Sequence, residues 1–175
     1  MQHLQAGMQS LKSGDLDTAE NAFRYILSIN STEVHSLHFL GVIFCQKGDL
    51  DNGIALIEQS ILLDPSRFGP YLNLGRFLVG ANQCDRAAPF LQQAVRRDVT
   101  SFDAWSLLAQ ASFATGNIDA ALMAGKRAAE INSRNAEIFF SLGVYASEMN
   151  KDEAIDHYRK AVSLDPASFK AWVNL

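Results

Sequence analysis

Residues 37–50 read LHFLGVIFCQKGDL, and the large-then-small pair inside this stretch, Leu40-Gly41, decides the fold. The pair returns as Leu74-Gly75, Leu108-Ala109 and Leu142-Gly143, each time after 34 residues. Gly48, near the end of the same stretch, belongs to a second series with the same interval: Gly14, Gly48, Asn82, Gly116 and Asn150. Glycine and asparagine are the residues that most readily take the left-handed conformation that ends a helix, so each member marks a helix stop. Between stops the apolar residues recur three and four apart, which is the helix period and not the strand period. The chain therefore reads as an all-α array of two-helix units.

Working outward with this interval as the ruler, the repeats fall at 1–33, 34–67, 68–101, 102–135 and 136–168. A partial sixth follows at 169–175, and the whole chain, 1–175, reads as a single array. In each unit the small residue at Gly41, Gly75, Ala109 or Gly143 lets two helices approach closely, while the leucine before it fills the seam. A unit of this kind leaves apolar faces for its neighbours, so most of the stability is expected at the interfaces between units. Asp64-Pro65 and Asp165-Pro166 end two of the second helices, because proline cannot donate to a helix and disfavours helical angles in the residue before it.

Three irregularities stand out. Pro89 falls early in a second helix, about four residues after the expected cap Asp85, where it removes one hydrogen bond without breaking the helix and predicts a small kink. Gly125 stands where other second helices carry Phe23, Ile57, Leu91 and Tyr158, so either a neighbour fills the space or packing loosens there. Ala154 arrives one residue earlier than Ala121 predicts, which places a deletion in the turn before it, where a length change is tolerated best.

Of the 175 residues, 48% are hydrophobic and 19% charged, the composition of a globular protein with material for a sizeable core. The formal net charge of -4 argues against a nucleic-acid-binding surface, which needs a basic excess. No window approaches the roughly 18 apolar residues of a membrane-spanning helix, and MQHLQAGMQS lacks the regions of a secretory signal. A cytoplasmic setting is expected, for a piece that stops in mid-pattern at Asn174-Leu175. Cys45 and Cys84 form no CxxC pair and read as small buried hydrophobes in a reducing compartment.

Nothing in the sequence points to catalysis. There is no nucleophile elbow, phosphate-binding glycine loop, metalloprotease helix or zinc spacing, so a non-enzyme without cofactor or metal is expected. His35 and His38 are close enough on one helix to share a metal, but no third ligand stands beside them. His157 is given no role. Arg96-Arg97 and Lys126-Arg127, in the later part of second helices, read as cations that offset the helix dipole.

The order of a bulky residue, Leu-Gly, a Gly turn, Ala, an aromatic or large aliphatic, Ala and a closing Pro resembles the tetratricopeptide repeat. Trp105 and Trp172, Tyr158, and Pro65 and Pro166 stand where that family has its tryptophan, second-helix aromatic and closing proline. Pro is absent at Ser31, Val99 and Ser133. The resemblance implies a right-handed superhelical solenoid of antiparallel helix pairs, about five units and the first helix of a sixth, with the first helices lining a concave groove. It also implies a non-catalytic protein-protein interaction scaffold that binds a peptide or partner segment there. By register the groove is expected to present His38, Phe39, Val42, Leu72, Asn73, Arg76, Leu107, Gln110, Phe140 and Val144, an apolar lining of the kind that marks interaction sites.

Two ligand signatures of the family are only partly present. The clamp for a terminal carboxylate meets His38, Val42, Asn73, Asp103 and Leu107 and is largely missing. The asparagine ladder of the protein-glycosylating members is matched at Asn73 and Asn174 but not at Phe39, Leu107 or Ser141. The stretches LHFLG at 37–41 and ILLDP at 61–65 also resemble repeat regions that precede bacterial glycosyltransferase or sulfotransferase domains. The alternative reading is thus the substrate-recognition arm of a larger enzyme. A third is a self-assembling scaffold, a homo-oligomer formed through exposed terminal helices.

Overall fold

The computed structural model describes residues 2–149 and 151–175. Among these there are eleven helices and no strand. They are α1 (Gln2–Ser13), α2 (Leu16–Ile29), α3 (Val34–Gln46), α4 (Leu50–Leu63), α5 (Phe68–Gly80), α6 (Cys84–Arg97), α7 (Phe102–Ala114), α8 (Ile118–Ile131), α9 (Ala136–Ser147), α10 (Lys151–Leu164) and α11 (Phe169–Asn174). The chain divides into two compact units, one ending at Phe77 and the other running from Leu78 to Leu175. In the first, α1/α2 and α3/α4 pair, and α2 also packs on α3. In the second, α7/α8 and α9/α10 pair, with α6 on α7, α8 on α9 and α11 on α10.

The turns form where the second series places them. Gly48 has φ +91° and Asn82 has φ +57°, backbone angles that most side chains resist; Gly14 and Gly116 share this region. Asn150, the last expected stop, lies outside the described residues. After each such turn a side chain caps the next helix where one is available: Asp15 accepts from the Thr18 N–H, Asp49 from Asn52 and Asn117 from Ala120.

The end of every second helix uses one device, whether or not proline is present. Asn30, Asp64, Asp98, Asn132 and Asp165 each accept the backbone N–H two residues on, at 2.9–3.3 Å. This side-chain turn competes with the helix for those donors and stops it. Trp105 and Trp172 brace the following helix alike, their indole N–H groups donating to the carbonyls of Val99 and Pro166, both at 3.0 Å.

The seam is a small residue of the first helix against a large residue of the second. A methyl group on Gly41 would stand 2.7 Å from Ile57 Cγ1 and from the carbonyl oxygen of Gly53. On Gly7 it would stand 3.0 Å from the Phe23 ring, and on Gly143 it would collide with the Tyr158 ring. In the fourth unit Ala109 and Gly125 are both small, and the space is filled from the next first helix. A methyl on Gly125 would meet Leu142 Cδ2 at 2.8 Å and Tyr145 Cε2 at 3.6 Å. A neighbour fills the place; packing does not loosen.

Two local expectations need revising. The residue before α6 is Gln83, not Asp85, which lies inside the first turn, and its side chain makes no cap bond. Pro89 is then deeper in the helix than expected, and α6 continues through it to Arg97. The one-residue shortening near Ala154 falls at the junction of α9 and α10, which includes Asn150 and so lies partly outside the described residues.

Candidate functional site

In the first unit, α3 and α5 bring His38, Phe39 and Asn73 together. His38 is only 3% exposed, with its ring 4.8 Å from that of Phe39 and its Nε2 2.9 Å from Asn73 Nδ2. Burial pushes its pKa down to about 4, helped by the positive charges of Arg67 and His35. The imidazole is therefore neutral at pH 7. With the Asn73 amide donating to Nε2, the proton sits on Nδ1, which has no partner in the structure. Phe39 is half-buried and stacks on Phe23 at 5.6 Å, and Leu72 and Asn73 are half-buried. Arg76 is exposed.

Two members of the expected lining are core residues here: His38 and Val42, the latter 7% exposed. The reason is geometric. On α3 the positions from Ser36 to Ile43 are all buried except Phe39, because the helix is covered by α2 on one side and α4 on the other. His35, the potential metal partner of His38, is exposed and bonded through Nδ1 to Glu33 Oε1 at 3.1 Å. Among the described residues no group of three His, Cys, Asp or Glu could hold a metal ion. Both cysteines are buried and free, and burial pushes the Cys45 thiol up to about 11.

In the second unit, α7 presents Leu107 half-buried and Gln110 exposed, and α9 presents Phe140 and Val144 half-buried. Phe140 and Val144 pack against the cluster of Ala146, Ala154 and Tyr158. One face of the Phe140 ring is already covered: Lys170 Nζ lies 4.6 Å from its centroid and is held there by Glu137 at 2.5–2.7 Å. This three-residue arrangement escaped sequence reading. Glu137 and Lys170 carry no motif, and only their placement at the starts of consecutive first helices hints that they meet. No described helix is long and apolar enough to cross a membrane.

Comparison with known proteins places this architecture. The chain superposes on the crystal structure of YrrB, described as a TPR protein with an unusual peptide-binding site, with TM-score 0.88 and 20% identity over 98% of this chain and 89% of that one. At this identity the likeness is one of fold. It is 25% identical over 93% of its length to human protein O-mannosyl-transferase TMTC1, and 31% identical over 66% of its length to cellulose synthase 1 operon protein C of Komagataeibacter xylinus. It spans only 19% and 10% of those two proteins. The tetratricopeptide repeat profile matches residues 34–67, 72–136 and 136–168, and on that match the chain belongs to the tetratricopeptide repeat family.

Proposed function

We propose that the chain is a non-catalytic scaffold in which each unit holds a peptide or partner segment against the faces of its own first helices, with Phe39, Leu72, Asn73 and Arg76 in the first and Leu107, Gln110, Phe140 and Val144 in the second. Membership of the repeat family supports a protein-interaction scaffold in the general sense. The reading is carried by the His38–Asn73 pair, a polar couple set among apolar side chains. Asn73 is fixed by one hydrogen bond and still half-exposed, so its amide retains capacity for a partner's backbone. Leu72 and Phe39 supply apolar contact beside it, and buried His38 serves to orient Asn73 without touching the segment.

The test compares capture of partners from lysate by the tagged chain and by Leu72→Ser and Asn73→Ala, quantified by mass spectrometry. Each substitution should weaken capture roughly three- to tenfold, the worth of one hydrogen bond or a modest apolar contact, with helicity unchanged. Equal capture would contradict the reading, and loss of helicity in Leu72→Ser would make that side chain core. A second reading has its own support: two relatives are named for a mannosyl-transferase and for a cellulose synthase operon, and the chain matches only a small share of each. In that setting the same faces would present a substrate segment to a catalytic part of the longer protein.

A further inference from the structure

The second helices carry a feature that the first-helix faces do not explain. In the first unit a slot of about 280 Å³ lies between α2 and α4, over Leu40 and Phe44 of α3. It is obstructed by its own residues, because Phe44 is half-buried there and Arg24 lies over its ring at 5.1 Å, tied back to Glu20 at 2.7 Å. Two repeats later, within the second unit, the equivalent slot between α6 and α8 measures about 360 Å³. Register puts Ser112 where Phe44 stands and Gln92 where Arg24 stands, so both the ring and its cationic cover are missing. The floor is Leu108, Val95 and Ser112, all buried, while Met123 is 61% exposed at the rim.

The charge at this slot is one-sided. Its lining contains one charged residue, Arg96, and no carboxylate. The neighbouring cations are engaged: Lys126 with Glu153 at 2.7 Å, Arg127 with Glu130 at 2.6 Å, and Arg97 with Gln93. Arg96 is exposed and, among the described residues, has no ion pair. Trp105 adds an indole whose N–H is already spent on Val99, which leaves its ring for apolar contact. A pliant thioether, an aromatic ring and an uncompensated guanidinium around a vacated floor together fit a large apolar side chain with a carboxylate next to it.

We propose that the slot between α6 and α8 is a second docking surface, and that its occupant is an acidic partner peptide that inserts one aromatic or large aliphatic side chain over Ser112 and pairs a neighbouring carboxylate with Arg96. This surface does not depend on the first-helix faces. The experiment pans a random dodecapeptide library displayed on phage against the chain, then measures the enriched peptides on variants. The expected result is enrichment of an aromatic or large aliphatic residue flanked by Asp or Glu. Binding should fall about tenfold or more on Ser112→Phe, which restores the ring found in the first slot, and on Arg96→Glu, and be unchanged on Leu72→Ser. Arg96→Glu alters an exposed side chain and decides the matter should Ser112→Phe fail to fold. The proposal is overturned if no peptide is enriched, if the enriched peptides lack acidic residues, if Arg96→Glu binds them equally well, or if Leu72→Ser abolishes their binding.

Discussion

Replacing Gly41 with leucine is expected to lower the melting temperature by about 6–12 °C. The estimate follows from overpacking of about 3 kcal/mol and a shift of roughly 2–4 °C per kcal/mol for a chain of this size. The first carbon of any side chain at Gly41 would already lie 2.7 Å from the Gly53 carbonyl oxygen and from Ile57 Cγ1. The carbonyl belongs to a helix backbone and cannot turn away, so α3 and α4 must separate. Ile57 is fully buried, and parting the helices would loosen its packing. Gly80→Ala is the control: nothing lies within 4 Å of the added carbon, and alanine is the better helix former, so stability should hold or rise slightly. Thermal melts followed by circular dichroism check both, and an unchanged melting temperature for Gly41→Leu would misplace the seam.

His38 should make the fold lose stability in acid through a window set by its own pKa. Its value is about 4 in the folded chain against 6.5 when unperturbed, so between these limits the unfolded chain binds the proton and the folded chain does not. Stability then falls as pH falls. The contribution is absent above about pH 6.5, grows on acidification and is complete near pH 4, where it amounts to about 3 kcal/mol. Carboxylates held low in the folded state, such as Glu20 beside Lys47 and Arg24, lose stability in the same direction. The informative quantity is therefore the difference between the wild type and His38→Gln. Urea denaturation between pH 7 and pH 4 should show the flatter profile for the variant, and parallel profiles would mean that His38 is protonated without cost.

The architecture was legible because two periodic series, one small and one turn-forming, share a single interval. Phe23, Ile57 and Tyr158 fell into their places from register alone. What escaped reading follows a pattern. Gly7, the first small residue of the seam, was hidden because Ala6 and not leucine precedes it. The Asx turns at Asn30, Asp98 and Asn132 were hidden because Ser31, Val99 and Ser133 follow them, where Pro65 and Pro166 mark the helix ends at Asp64 and Asp165. The binding faces were less legible than the fold. Helix period identifies which residues share a stripe, but α3 is flanked by α2 and α4, and only the packed chain shows that His38 and Val42 lie under cover while Phe39 reaches the surface. Cross-helix cover such as Lys170 over Phe140 has no local sequence signal at all.

Hydrogen–deuterium exchange of the chain with and without its captured partner tests the central claim most directly. On the present account the partner slows exchange in segments from the first helices, above all α3 and α5 around Phe39 and Asn73 and α7 around Gln110, while α2 and α4 exchange as before. Protection confined to second helices, or none in any first helix, would contradict it.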